Sequence, residues 1–186
     1  MFRHTLLAAA LLGASTLASA AGFTLTSADI MANGTIDKKF EFNGFGCAGE
    51  NKSPALRWSG APKDTKGFAV SVYDPDAPTG SGWWHWYVIN LPAGTTGLTG
   101  DAGAVGGANL PKGAANLTTD FDVAGFGGVC PPQGDKPHRY IFTVHALKVD
   151  KLDLPADATA AQAGPVVNAN TIAKASFTAR YGRAKK

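Results

Sequence analysis

The chain is short of several features that would fix its class at once. Two cysteines in 186 residues are too few for a disulfide-stapled scaffold, and they cannot by themselves complete a structural zinc site, which takes about four ligands. Charged residues make up only 17% of the sequence, 17 basic against 14 acidic, and no run of lysines and arginines concentrates the net charge of +3. A nucleic-acid binder carries a basic stripe, so no nucleic-acid partner is expected. After residue 20 no apolar stretch approaches the ~20 residues of a spanning helix. A G-K-[ST] phosphate loop and a G-x-S-x-G nucleophile elbow are both missing. Gly44 to Gly49 spells G-x-G-x-x-G, but Asn51-Lys52-Ser53-Pro54 follows. That is a poor helix start, so these read as turn glycines rather than a dinucleotide site.

What is abundant is glycine, 23 residues, with 11 prolines beside it. Such a chain is rich in turns, and a long-helix bundle is not expected. The first twenty residues stand apart. Arg3 is followed by the apolar run Leu6–Leu12, and Ala18-Ser19-Ala20 supplies a small-x-small cleavage pattern. This is the form of a secretory signal peptide, with cleavage near Ala20 and residues 21–186 as one exported domain, periplasmic or secreted. In an oxidising compartment, Cys47 and Cys130 are expected to form a structural disulfide. The chain-entropy model credits a loop of that length with roughly 4–5 kcal/mol.

Period-2 alternation predicts strands at Phe23–Thr26, Phe40–Phe42, Gly67–Tyr73, His85–Leu91, Arg139–Val149 and Ser176–Tyr181. In the fourth of these, His85, Tyr87, Ile89 and Leu91 are expected on one face. Residues 92–137 read as one long connection, a length that is often functional. Thr159 and Gln162 fit a capping box. Alanine-rich sequence continues to Ala175, with a break or a second helix expected at Gly164-Pro165. The fold class is therefore mainly β, antiparallel, with short helices near the C-terminus.

Two stretches carry titratable residues at strand ends with prolines beside them. Asp74-Pro75-Asp76-Ala77-Pro78 precedes Trp83-Trp84-His85-Trp86, and Gly128-Val129-Cys130-Pro131-Pro132 precedes Pro137-His138-Arg139-Tyr140. If the strands are neighbours, Asp74, His85 and His138 converge at one sheet edge. Histidines that titrate near pH 6.5 can donate to an anion such as phosphate, and a carboxylate beside them orients the ring.

The segments DPDAP, HWYVINLP, GGVCPPQGDKPHRYIFTVHAL and AKASFTARYGR occur in one order across roughly residues 23–183. Together they resemble the phosphatidylethanolamine-binding protein family, in particular its bacterial branch described as Raf-kinase-inhibitor-like. The resemblance implies a large central antiparallel sheet packed on a smaller one, with C-terminal helical structure. It also implies a small anion pocket for phosphate, acetate or the phosphoryl head of a phospholipid or phosphorylated residue. The matching positions are Asp74, His85, Gly128, Pro131, Pro132, His138 and Tyr140, with Asp76, Pro78 and Trp86 shaping the pocket. Many relatives have a histidine where this chain has Asn170, which weakens any transfer of pocket chemistry from the C-terminal region.

Three functions follow as expectations. The first is a non-enzymatic, cofactor-free binding protein for phosphate-type anions or phosphorylated head groups that acts through a protein partner. The second is a metal-assisted hydrolase in which Asp74, His85 and His138 form a two-histidine, one-carboxylate site. The third is a protein–protein module, either a protease- or kinase-inhibitor-like protein or a homodimer, joined through Trp83, Trp84 and Trp86.

Overall fold

The computed structural model describes residues 22–155 and 157–185; the signal peptide expected over residues 1–20 lies outside them. In chain order the elements are β1 (Thr24–Thr26), a 3₁₀ turn (Lys38–Phe40), β2 (Asn43–Gly44), β3 (Cys47–Ala48), β4 (Leu56–Ser59), β5 (Gly67–Asp74) and β6 (Trp83–Pro92). They continue with β7 (Gly97–Leu98), β8 (Ala115–Asn116), β9 (His138–Leu147), α1 (Ala160–Asn170) and β10 (Thr171–Tyr181). The large sheet runs β10-β9-β5-β6-β8, a smaller sheet runs β1-β4-β7, and β2 and β3 form a separate hairpin. Every strand pairing within these sheets is antiparallel. No helix among the described residues is long and apolar enough to cross a membrane.

The large sheet is covered on both faces, which explains why β5 is buried along nearly its whole length. One face, with Phe68, Val70, Val72, Trp86, Val88, Phe142 and Val144, packs on Leu25, Leu56, Trp58 and Leu98 of the small-sheet side. The opposite face presents Ala69, Tyr87, Ile89 and Leu147 to α1, which buries Ala160, Ala163 and Val167. Those three helical positions share one face at i, i+3 and i+7.

Several expectations are corrected here. Phe40–Phe42 is not a strand: Phe40 ends the 3₁₀ turn, which Asp37 caps, and Glu41 makes one isolated bridge to Val129. The helix neither breaks at Gly164-Pro165 nor restarts there; α1 is a single helix from Ala160 to Asn170. The ring of Pro165 removes one hydrogen bond, while Gly164, lacking Cβ, relieves the clash that proline imposes on its predecessor. The capping box forms as read, with the Gln162 N–H donating to Thr159 Oγ1 (3.3 Å) and the Thr159 N–H to Gln162 Oε1 (2.9 Å). The alanine-rich stretch past residue 170 is strand rather than helix, because β10 pairs along the whole of β9. The connection 92–137 contains β7 and β8, and Leu98, Ala102, Leu117, Phe126 and Val129 anchor it in the core.

The three neighbouring tryptophans share no surface patch. Trp86 is fully buried and donates its Nε1–H to Asn116 (2.9 Å), while Trp84 packs on Tyr73 and Tyr87.

His145, in the middle of β9, is buried with Nδ1 3.1 Å from Thr171 Oγ1. Burial first, and then the charge of Lys174, pushes its pKa down to about 4. The unfolded chain, with histidine near 6.5, therefore binds more protons in acid. Stability from this group is complete above about pH 6.5 and is lost as pH falls toward about 4, on the order of 3 kcal/mol in all. Replacing His145→Asn should flatten part of the decline in urea midpoint over that window; an unchanged slope contradicts it.

Candidate functional site

Asp74 is the last residue of β5 and His138 the first of β9, so neighbouring antiparallel strands place them at the same end of the sheet. The His138 Nδ1–H donates to Asp74 Oδ2 at 2.8 Å, with both side chains almost wholly buried. The other carboxylate oxygen, Oδ1, accepts the backbone N–H of Asp76 at 2.8 Å. This is the local turn that an Asp before proline favours. Alternation along β9 turns Arg139 the other way, toward Asp76. There the backbone N–H (2.8 Å), Nε (2.9 Å) and Nη2 (2.6 Å) of Arg139 all donate to the Asp76 carboxylate. The Arg139 hydrogen bonds hold the Asp76 carboxyl down to about 2 against the opposing pull of burial. The DPDAP turn is thus clipped twice to consecutive residues of β9.

His85 reaches the site through a departure from strand regularity. Val72 pairs with Trp86 and Tyr73 with Trp84, which leaves His85 as the extra residue of a β-bulge. Simple alternation groups it with Tyr87 and Ile89, which face α1. The bulge instead brings the imidazole edge-on to Tyr140 (5.0 Å) and Phe121 (5.2 Å). A second irregularity, with Asn90 at φ +58°, carries Leu91 into the other core as well.

The His85 ring is pinned from one side. Nδ1 lies 2.8 Å from the Gly127 carbonyl and 3.1 Å from that of Gly128. Carbonyls only accept, so Nδ1 carries the proton and donates. The Gly127 N–H returns a bond to the His85 carbonyl at 2.7 Å. Asn51 fixes the same glycine loop, accepting from the Gly128 N–H at 2.7 Å and donating to the Phe126 carbonyl at 3.2 Å. A Cβ on Gly128 would collide with the Phe40 carbonyl and the Phe42 N–H, so the close approach requires glycine. Desolvation pushes the pKa of His85 down, only partly opposed by its carbonyl bonds and by the charges of Asp74 and Asp120. With Nδ1 spent on the backbone, Nε2 is the ring nitrogen left for a ligand in the cavity.

Between the two histidines lies a cavity of about 320 Å³. Asp74, Pro78, His85, Pro131, Pro132 and His138 line it, as do Phe45, Ala77, Thr79, Trp83, Phe121 and Cys130. The volume suits a small ligand. Three predicted residues stand behind the wall rather than in it. Gly128 supplies a carbonyl to His85, Tyr140 supports the His85 ring, and Trp86 belongs to the core. Asp76 acts from outside through Arg139. Burial, together with the Asp74 charge, pushes the ionisation of Tyr140 up, and its hydroxyl finds no hydrogen-bond partner among the described residues. Asn170 bonds the Val166 carbonyl at the end of α1, next to where Thr171 pairs with Leu147. That is the far end of β9 from His138, so the histidine-to-asparagine difference does not touch this cavity.

Sequence reading missed Asn51 and the aromatic wall. Phe121 lies in the long connection, and Phe45 tips the β2–β3 hairpin at φ +50°, 74% exposed. The rings of Phe42, Phe45 and Phe121 stack with centroids 4.3–5.9 Å apart. The G-x-G-x-x-G glycines belong to this hairpin, as the sequence context indicated. A larger groove, about 600 Å³, follows the small sheet between Thr26 and Gly100. Arg57 is its one charged lining residue, with Thr26, Ser27, Thr96 and Thr99 beside it.

Cys47 and Cys130 are bonded, with Cα atoms 6.0 Å apart, and so tie the hairpin to the cavity wall. Arg183 reinforces this junction by donating to the carbonyls of Gly46 and Pro131 (the latter 3.3 Å) and by pairing with buried Glu41. Opening the 83-residue loop with the double change Cys47→Ser and Cys130→Ser should cost about 4–5 kcal/mol. Urea unfolding should show a lower midpoint with an unchanged far-ultraviolet spectrum of the native state; an equal midpoint contradicts the estimate.

The comparisons agree with this architecture. The profile of the family named Phosphatidylethanolamine-binding protein matches residues 26–182. The protein YbcL of Escherichia coli is 53% identical over 164 residues, covering 88% of this chain and 90% of YbcL. YbhB of the same organism is 45% identical over 157 residues, covering 84% of this chain and 98% of YbhB. The crystal structure of Escherichia coli YbcL, described as a new member of the mammalian family, superposes with a TM-score of 0.85 at 52% identity and covers 87% of this chain and 99% of YbcL. The mainly β, two-sheet fold with α1 near the C-terminus is that of these relatives, and the chain belongs to the phosphatidylethanolamine-binding protein family, in its bacterial branch.

Proposed function

We propose that this chain is a non-enzymatic binding protein whose pocket, between His85 and His138, receives small phosphate-type anions or phosphorylated head groups. The observation that carries this reading is the convergence of two pinned imidazoles on one cavity. In each ring Nδ1 is committed to the protein, His85 to backbone carbonyls and His138 to Asp74, while Nε2 of His85 has no hydrogen-bond partner among the described residues. Such a pair is organised before a ligand arrives, so little ordering cost falls on binding. The prolines Pro78, Pro131 and Pro132 stiffen the remaining wall.

The metal-assisted reading draws no support from this geometry. Both oxygens of Asp74 already accept hydrogen bonds, one from His138 and one from the backbone. A metal would have to displace a buried, satisfied arrangement. The disulfide and the leader-like first twenty residues support action in an exported compartment. There the family's general character as binding proteins points to a role exerted through a protein partner.

Titrating inorganic phosphate and phosphoethanolamine while following the imidazole protons of His85 and His138 tests the pocket. Saturable shifts of both rings at millimolar ligand are expected, with His145 unmoved. Unchanged signals for His85 and His138 at those concentrations overturn the reading.

A further inference from the structure

Where β9 begins and β10 ends, the surface carries cations that neither the cavity nor the fold uses. Arg139 and Arg180 stand directly opposite each other in the β9–β10 register, and both are exposed. Opposed residues of an antiparallel pair share a face with Cβ atoms about 5 Å apart, and like charges placed so destabilise a sheet. Asp76 neutralises Arg139, but Arg180 enters no ion pair among the described residues, and neither do Lys136 and Lys185.

Two adjoining hollows, of about 890 and 380 Å³, open around Arg180, and Asp135 and Pro137 border both. Lys136 and Arg139 line the larger one, while Gly182 and Arg183 of the C-terminal tail line the smaller. The walls are held in place. Gln133 bridges to Arg183, the Gly134 N–H donates to the Arg183 carbonyl at 2.9 Å, and Lys185 packs against Gly134. Cations distant in sequence are thus gathered around one trough on backbone that is already ordered, which lowers the cost of binding there.

We infer that this trough is a docking surface for an extended acidic segment of a protein partner, with Arg180 and Lys136 as its anchors. The inference goes beyond the cavity reading and does not rest on it, because neither cation lines the cavity and His138 alone borders both places. Charge complementarity selects an anionic partner, and the carboxylate at the rim selects its kind. Asp135 has a half-exposed side chain and lies 3.6 Å from His138 Nε2. The anionic face of a bilayer would meet Asp135 together with the cations. An extended peptide can instead turn backbone N–H groups to Asp135 while its carboxylates reach Arg180 and Lys136.

The test follows the backbone amides of the isotope-labelled protein during titration with a hexaglutamate peptide, a hexaglutamine peptide, and phosphatidylcholine vesicles containing phosphatidylglycerol. At low salt hexaglutamate should shift Lys136, Arg180 and Gly182 saturably, with affinity falling at least about fivefold by roughly 0.2 M salt. Hexaglutamine and the vesicles should leave these amides unmoved. The double change Lys136→Glu and Arg180→Glu should weaken hexaglutamate at least about tenfold, since two exposed ion pairs become repulsions. Lys112→Glu, at an exposed position outside both hollows, should leave the affinity unchanged. Because Arg180 faces Arg139, Arg180→Glu should keep or raise the urea midpoint; a lower midpoint means that Arg180 serves the sheet and overturns the inference. Equal binding of hexaglutamine, unchanged affinity in the double variant, or binding of vesicles without binding of hexaglutamate also overturns it. The phosphate response of the His85 and His138 imidazoles should persist in the double variant, so these failures leave the cavity reading standing.

Discussion

The hydrogen bond between His138 and Asp74 is the contact on which the site depends. A carboxylate buried at the end of β5 would be very costly alone, since removing a charge from water requires compensating donors. Here the His138 Nδ1–H and the Asp76 N–H supply two, at 2.8 Å each. In doing so they fix the position of the β9 end, the orientation of one imidazole and the shape of the DPDAP turn. The exposed Arg139–Asp76 clamp repeats this logic one step outward, on the neighbouring residue of β9. Charge is thus satisfied locally at a sheet end whose two faces are already closed by the small sheet and by α1.

The opposite wall is built by backbone rather than by charge. The long connection between β7 and β9 returns glycine carbonyls to His85, and that return is possible because Gly128 passes against Phe40 and Phe42 with no room for a Cβ. Asn51 and the Cys47–Cys130 bond hold this loop to the hairpin. One histidine therefore sits against a carboxylate and the other against two carbonyls. The two rings look alike in sequence and differ in what holds them.

Much of this was legible from residues alone. Alternation located the long strands, the Thr159–Gln162 spacing located the start of α1, and the export-like leader gave a reason to pair the cysteines. Asp74, His85 and His138 were recognisable because each falls at or near a strand end beside proline. The period-2 rule placed His85 on the wrong face, because a bulge is a property of two strands in register and cannot be seen in one. Helix-breaking rules overestimated Pro165, since they do not weigh the packing of Ala163 and Val167 against Tyr87 and Ile89. The aromatic wall escaped notice because Phe45 and Phe121 are remote in sequence and meet only through the disulfide-tied hairpin and the folded connection. The pinning of His85 was illegible for the same reason: the carbonyls that hold its Nδ1–H lie about forty positions away.

The central claim is that the space between these two imidazoles is where a phosphoryl group is received. A crystal structure of the protein grown with inorganic phosphate near neutral pH tests it most directly. The account predicts a phosphate in the His85–His138 cavity, one of its oxygens within hydrogen-bond distance of His85 Nε2, with the Asp74–His138 contact intact. Phosphate bound only elsewhere on the surface, with this cavity holding solvent, would contradict it.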